Sequence, residues 1–340
     1  MPAPLSFRNF LRANGGLEVW QRGAGASASI AVAASQTQYC PDRWYYKNGA
    51  NQASVVSAQA GLTPASRLSA RIIRNSGQTG TGTVYFAFPF DTEECYAMRG
   101  KLLALSFVVS TGANWSPTNG TLTCNVYVGT GAAAKRNSSA LTGETNPLTG
   151  SVDVAAGAIG RRVVMIASKP VQQTTTQAEL QFSWAPTGTA GAADSVTIDD
   201  VQLEAVDSYS DGPTEFERLT FANELALCQR HYAKTFPYGT APAQSGGVAG
   251  ALGWKAPAAN ATIQSLWQFP VQMRIAPTIT TYNPSAANSK WRDVTAGTDK
   301  TESVDPSAAI SADRVLITNI TDSPAAADLC YIHAQADAGI

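Results

Sequence analysis

Few side chains in this sequence are of a type and spacing that could do chemistry. Its two histidines, His231 and His333, stand far apart, so no His-rich metal site can be built from them. Neither lies in a GxSxG or HExxH pattern, and both read as structural or surface residues. The glycine-rich run at residues 77–82 precedes a strand instead of a helix, so it offers no helix N-terminus to a phosphate. Paired carboxylates could still cleave a glycosidic bond. The candidates are Asp91, Glu93, Glu94, Asp199 and Asp200, with Glu93 and Glu94 expected on a solvated turn after a strand. Nothing in the sequence places two of them at the separation hydrolysis needs, and the chain reads as no enzyme. Aromatic residues are the stronger lead. Sugar rings stack their C–H faces on flat aromatic rings, and their hydroxyls pair with amides and charged groups. The run Asp42-Arg43-Trp44-Tyr45-Tyr46-Lys47-Asn48 brings both kinds together. Within it Trp44 reads first as core. Trp115, in a polar loop beside Asn114, Ser116 and Asn119, is the candidate expected to be exposed.

The composition indicates what scaffold holds these residues. Charged residues make up 14% of the 340 positions, against about 25% in an average soluble protein. Gly, Ala, Ser and Thr take their place, and 18 prolines punctuate the chain. That profile fits a β-rich protein with many turns. The formal net charge of −1 gives no footprint for nucleic acid or an anionic membrane. No apolar run is long enough to cross a bilayer, so no membrane insertion is expected. Residues 1–16 lack the continuous apolar stretch of a secretory signal. The five cysteines (Cys40, Cys95, Cys124, Cys228 and Cys330) are odd in number and without a CxxC pair. They read as buried free thiols made in a reducing cytoplasm.

Strands are expected at residues 84–90, 102–109, 121–128, 162–167, 178–184 and 196–203, with loops at 111–120 and 129–150 and no convincing helix among them. In 121–128, Leu122, Cys124, Val126 and Val128 share one face and Thr121, Thr123 and Asn125 the other, as in a half-buried antiparallel strand. These features predict an all-β fold, with a two-sheet jelly-roll sandwich over residues 16–206. One strand carries a flaw: Val196 and Ile198 share a face with Asp200, whereas Val201 and Leu203 lie opposite with Asp199. The apolar set changes sides at the Asp pair, which predicts a bulge or twist there.

Phe7, Phe10 and Leu11 give a short amphipathic helix over residues 6–12, which packs on the next domain or docks on a partner. Later, Thr214 and Glu217 form a capping-box pattern, with Thr220 an alternative N-cap. Phe221, Leu225, Cys228 and Tyr232 then recur at coiled-coil spacing. They read either as a trimer seam or as one face of a helix packed on its own sandwich. Residues 240–257 read as extended, and strands are expected at 262–274, 278–282, 314–320 and 329–334. The implied domains are 1–15, an N-terminal attachment segment; 16–206, the sandwich; 207–236, a linker with the helix; and 237–340, a smaller C-terminal β-rich domain.

Three motifs, NGGLEVWQRG at residues 14–23, CPDRWYY at 40–46 and the stretch 198–234, occur in an order and spacing that resemble the minor structural fibre proteins of tailed bacteriophages. Related proteins form head spikes on phage-like gene transfer agents. The resemblance covers roughly the first two thirds of the chain. It implies a homotrimeric spike or fibre subunit on the virion surface, assembled in the host cytoplasm. The N-terminus would attach to a capsid or tail protein, and the β-domains would adhere to host surface polysaccharide. A purely structural connector supporting another receptor-binding fibre is the alternative, and a polysaccharide depolymerase a further one. The strand bearing Asp199 and Asp200 also resembles the closing strand of many carbohydrate-binding modules. That likeness implies a structural Ca²⁺ held by Asn14, Glu18, Asp199 and Asp200. Asn-Gly-Gly-Leu-Glu is one residue longer than the pattern, and an ordinary Asp pair at a bulge is the other reading. No other cofactor is implied.

Overall fold

The computed structural model describes residues 8–49, 52–137, 139–300, 310–319, 322 and 324–340. Contacts divide the chain into two compact units. One comprises Met1–Trp20, Ala26–Glu224 and Ile340; the other comprises Gln21–Gly25 and Leu225–Gly339. The boundary therefore falls inside the predicted linker helix, and the second unit borrows a short N-terminal piece.

The first unit contains β1 (Ser29–Val32), β2 (Thr37–Tyr39), β3 (Tyr45–Lys47), β4 (Ser54–Ala60), β5 (Leu68–Arg74), β6 (Val84–Phe90), β7 (Leu102–Thr111), β8 (Thr121–Gly129), β9 (Thr145–Asp153), β10 (Arg161–Ile166), β11 (Gln177–Trp184) and β12 (Ser195–Val206). They form two antiparallel sheets, ordered β1-β4-β5-β12-β7-β10 and β2-β3-β6-β11-β8-β9. From β5 onward the chain visits the sheets in the order that defines a jelly roll, and β1–β4 widen both sheets at one edge. The fold is thus all-β, as expected. The inward residues of both sheets make one core. At its centre Trp44 stacks on Phe86 (4.8 Å, 13°) and meets Phe88 edge-on at 5.3 Å. All five cysteines are buried and free.

Two local features differ from expectation. Residues 92–98 are a helix, α1 (Thr92–Met98), closed by a reciprocal capping box between Asp91 and Glu94. Glu94 also pairs with Arg43 at 3.0 Å. The expected solvated turn is a helix N-terminus, where carboxylates satisfy orphan N–H groups. The last six residues of the predicted 129–150 loop belong to strand β9, paired along β8.

The N-terminal helix does not form over its described residues. Phe10 donates its N–H to Leu203 O at 2.7 Å, Asn9 bridges Glu204, and Leu11 is buried in the core. The chain there meets β12 through an isolated bridge and then turns, and residues 6 and 7 lie outside the described residues. Hydrogen bonding to a strand edge and core burial of Leu11 outweigh two weak turns of helix.

The later helix, α2 (Phe221–Gln229), starts after Thr220. Thr214 is not its cap: its hydroxyl and N–H both bond to the Glu204 carboxylate, while Glu217 accepts from Arg8 N. Tyr232 lies outside the helix, in β13 (Tyr232–Lys234).

The second unit is organised on one strand. After β13 come β14 (Leu252–Lys255), β15 (Ile263–Gln268), β16 (Thr278–Tyr282), β17 (Arg292–Asp293), β18 (Thr298–Asp299), β19 (Arg314–Asn319) and β20 (Leu329–Asp337). Strand β20 pairs with β13, β14, β16 and β17. That central position explains its apolar character on both faces. His333 is buried within it, stacked on Phe236 at 3.8 Å and bonded through Nε2 to Gly247 O at 3.0 Å. Burial lowers its pKa, which keeps the ring neutral and structural.

Because Trp44 is fully buried among three phenylalanines, Trp44→Ala should cost about 3–5 kcal/mol of stability. Denaturant unfolding of the variant checks this; a loss under about 1 kcal/mol would contradict the described core.

Candidate functional site

The aromatic candidates do not form an exposed cluster. Trp115 is only 7% exposed; its Nε1 donates to Gly120 O at 3.2 Å and its ring lies 5.6 Å from Trp184. Its polar neighbours fasten the loop over the sandwich, Ser116 Oγ donating to Asp194 at 2.8 Å and Asn114 accepting from Ala193 N. Once closed, that loop turns its one large apolar ring inward. Tyr46 is core, with its hydroxyl donating to Asn48. Trp44 is core as read, its Nε1 donating to Asn14 O at 2.9 Å. Tyr45 lies on the opposite face of β3 but is also covered.

Two of the four proposed calcium ligands, Glu18 and Asp200, are brought together around a cation that belongs to the chain. The Arg218 guanidinium bonds Glu18 Oε1 at 2.8 Å and Asp200 Oδ1 at 2.5 Å. Arg67 joins Glu18 from the other side at 3.4 Å. Asp199 accepts from Leu62 N, Ser66 Oγ and Asp200 N. Asn14 uses its amide on Val19 N, Val19 O and Asp42 O. The donor set therefore does not fit Ca²⁺: Arg218 stands between the carboxylates, and the other oxygens are spent on protein donors. Among the described residues no group of three or more His, Cys, Asp and Glu is arranged to hold a metal ion. Sequence reasoning missed Arg218 because it lies 18 positions beyond the nearer carboxylate it joins.

The expected bulge is present. Asp199 pairs with Val108 and Gln202 with Ser106, so Asp200 and Val201 together face one residue of β7. Asp200 adopts φ 45°, a left-handed conformation that Asp tolerates better than most residues. Gly15 abuts the bulge, where a Cβ would lie 2.7 Å from Val201 O, so this position requires glycine.

The trimer seam is not present as a seam. Cys228 and Tyr232 are buried, and Tyr232 pairs with Asp337 of β20. Phe221 carries the Arg67 guanidinium 4.6 Å from its ring, and Leu225 is half-buried. A nine-residue helix cannot hold two heptads, so the periodic stripe is resolved as packing on the chain itself.

The surface that combines aromatic and polar groups is the outer face of the second sheet. Register places Tyr39, Tyr45, Ala87, Gln181, Asn125 and Thr149 in one row. The next row runs Thr37, Lys47, Tyr85, Ser183, Thr123, Ser151. The connection between β8 and β9 folds back over one end of this face. There Asn137 N donates to Tyr45 Oη, which donates to Glu179 Oε1 at 2.8 Å. Glu179 Oε2 accepts from Arg136 N, and the Arg136 guanidinium lies 3.7 Å over the Tyr127 ring. The Lys47–Tyr85 row stays accessible, with Lys47, Tyr85 and Thr123 half-buried and Ser151 exposed.

Glu179 is fully buried, and loss of solvent pushes its carboxyl up to about 7 despite the Tyr45, Arg136 and Gln181 hydrogen bonds. Burial and neighbouring Glu18 raise Glu224 to about 7 as well. Burial and repulsion from Asp200 move Asp199 in the same direction.

No family model and no curated protein matches the chain. Solved structures that resemble it include a bacteriophage CBA120 tailspike protein 4 enzymatically active domain, at 11% identity and TM-score 0.31. That match covers 58% of this chain and 21% of the tailspike chain, so it spans about a fifth of the larger protein. A CBM4 structure matches at 13% identity and TM-score 0.32, over 57% of this chain and 98% of the other. A Stig cyclase, Fisc, from Fischerella sp. TAU matches at 12% identity and TM-score 0.34, over 57% and 94%. Likenesses this distant decide nothing about what the chain binds.

Because Arg218 supplies the positive charge between Glu18 and Asp200, EDTA should leave the melting temperature unchanged. Arg218→Ala should destabilise by about 1–3 kcal/mol by removing a charged partner from two buried carboxylates. A chelator-induced drop in melting temperature would restore the metal reading. The pH response follows from Glu179 and Glu224. Their folded pKa values lie above the ordinary carboxyl range, so the folded state holds their protons more tightly than the unfolded chain does. The resulting stability is complete below about pH 4.5 and is lost as pH rises through about 7. Melting temperature should therefore fall between pH 5 and pH 8, and Glu179→Gln should flatten that slope. A slope unchanged in the variant would contradict the assignment to Glu179.

Proposed function

We propose that this protein is a glycan-binding subunit of a virion spike or fibre, and that it binds host surface polysaccharide without cutting it. The observation that carries the binding half is the accessible row on the second sheet. Tyr85 supplies a half-exposed flat ring, Thr123 and Ser151 supply hydroxyls, and Lys47 supplies an ammonium beside the ring. A strip of this kind suits a pyranose, whose ring needs an apolar surface and whose hydroxyls need donors and acceptors together. Binding without cleavage is supported by the fate of the carboxylates. Asp91 and Glu94 cap α1, and Glu18 and Asp200 pair with Arg218.

The virion half rests on the resemblance of the three motifs to those of phage fibre proteins. In a trimer of such subunits, three weak sites would act together and raise the effective affinity by roughly 10²–10⁴. Surfaces other than the α2 stripe would mediate that trimer.

Purified protein should label cells that carry the polysaccharide and ignore mutants that lack it. Tyr85→Ala should weaken labelling at least tenfold while the melting temperature and the mass by light scattering, three times the subunit mass, stay unchanged. Equal labelling of both strains by the unmodified protein would overturn the glycan reading in favour of a connector. Release of reducing ends would overturn the claim that it does not cut.

A further inference from the structure

One buried oxygen of the sandwich has no partner of its own. Gln52, between β3 and β4, is fully buried, and its Nε2 donates to Gly82 O. Among the described residues, nothing donates to its Oε1. Reversing the amide would only set two acceptors, Oε1 and Gly82 O, against each other. The amide is also wedged in place. Gly49 comes so close that a Cβ there would collide with Gly82 O and lie 2.8 Å from Gln52 Nε2. A buried acceptor left in this state costs as much free energy as a lost hydrogen bond, or more.

Gln52 lines a cavity of about 10 Å³ at one end of the sandwich, between Arg74 of β5 on the first sheet and Tyr46 of β3 on the second. The rings of Trp115 and Trp184, 5.6 Å apart, form part of its apolar wall. Asp194 completes the polar side. Its Oδ2 accepts from Arg74 Nε and from Ser116 Oγ, both at 2.8 Å, and its Oδ1 has no donor among the described residues. The Tyr46 hydroxyl is already bonded to Asn48 and Ser54. Two residues with an open acceptor each, Gln52 and Asp194, thus border one small space.

We infer that this cavity is the site of one structural water, which donates one hydrogen to Gln52 Oε1 and the other to Asp194 Oδ1. Two acceptors call for a molecule with two donors. Room of roughly 10–15 Å³ is what a single water needs, so neither a sugar nor any other organic ligand fits. The Arg74 guanidinium in the wall repels a metal cation, which would have to compete with it for Asp194. Cavities that stay dry are lined by apolar groups, and this one is not. The place of the water also gives it a duty. Through Asp194 it joins Gln52 to Ser116, in the loop that carries Trp115, and so helps to hold that ring inward. The inference is independent of the glycan reading.

The test is a crystal structure of the full chain at a resolution that shows ordered waters, joined to magnetic relaxation dispersion of water oxygen in solution. One density peak should stand within about 2.5–3.0 Å of both Gln52 Oε1 and Asp194 Oδ1. In Gln52→Leu, which removes one acceptor and fills part of the space, the dispersion amplitude should fall by one long-lived water. Amides of residues 112–120 should exchange several-fold faster in that variant, because the loop loses one of its ties. A cavity without a density peak would overturn the inference, and so would a peak bonded to only one of the two oxygens. An unchanged dispersion amplitude in folded Gln52→Leu would also overturn it, and unchanged exchange over 112–120 would remove the duty assigned to the water. Where Gln52→Leu fails to fold, the density of the unmodified protein decides alone.

Discussion

The sandwich depends on one irregularity in its central strand. β12 lies between β5 and β7, and Val196, Ile198, Val201 and Leu203 must all enter the same core. Strict alternation forbids this, because residues 198 and 201 lie on opposite faces of a regular strand. One extra residue at Asp200 restores the phase. The extra residue leaves backbone groups and two adjacent carboxylates to be satisfied. Gly15 supplies a carbonyl to Val201 N, Leu62 and Ser66 bind Asp199, and Arg218 binds Asp200. The glycine pair near the N-terminus, the Asp pair near the end of the sandwich and an arginine just before α2 are thus parts of one arrangement.

The sequence motifs at residues 14–23 and 40–46 prove to be largely scaffold. Asn14 and Trp44 join the first motif to the second through Asn14 Nδ2 to Asp42 O and Trp44 Nε1 to Asn14 O. Arg43 adopts φ 70°, and its guanidinium bonds Pro89 O and Glu94 against the Phe88 ring. Residues with such buried, directional duties tolerate little change, because removing either partner strands a polar group in the core. Such residues say little about a receptor. A recognition surface has the opposite constraint: its side chains can vary while the strands beneath them persist.

On that view the outer face of the second sheet is suited to variation. Its floor is set by pairing among β3, β6, β11, β8 and β9, whose inward residues are fixed by the core. Its outward residues need only be compatible with a strand. The β8–β9 connection, held by Glu179, Tyr45 and Arg136, covers one end and adds its own cations, so one loop influences both the extent and the charge of the surface.

Much of this was legible in the sequence. The strand at 84–90 coincides with β6, those in the rest of the sandwich agree to within a few residues, and the side-switch at Asp199 and Asp200 announced the bulge, because alternation is a local property of the chain. Thr121, Thr123 and Asn125 already marked an outward polar face on β8. Strands β1, β4, β5 and β9 were missed, and so were the short β2 and β3, the latter within a dense aromatic run that hid the alternation. The capping box of α1 was missed because Asp91 and Glu94 also look like a surface turn. What local pattern could not decide was which aromatic rings face water. Trp115 stands among polar neighbours and Tyr45 in a run edged by Asp42, Arg43, Lys47 and Asn48, yet loops and strands distant along the chain close over both. Nor could it show that Arg218 returns to Glu18, 200 positions away. Secondary structure and its faces follow from residues a few positions apart, whereas exposure and charge pairing depend on which distant segments the fold brings together.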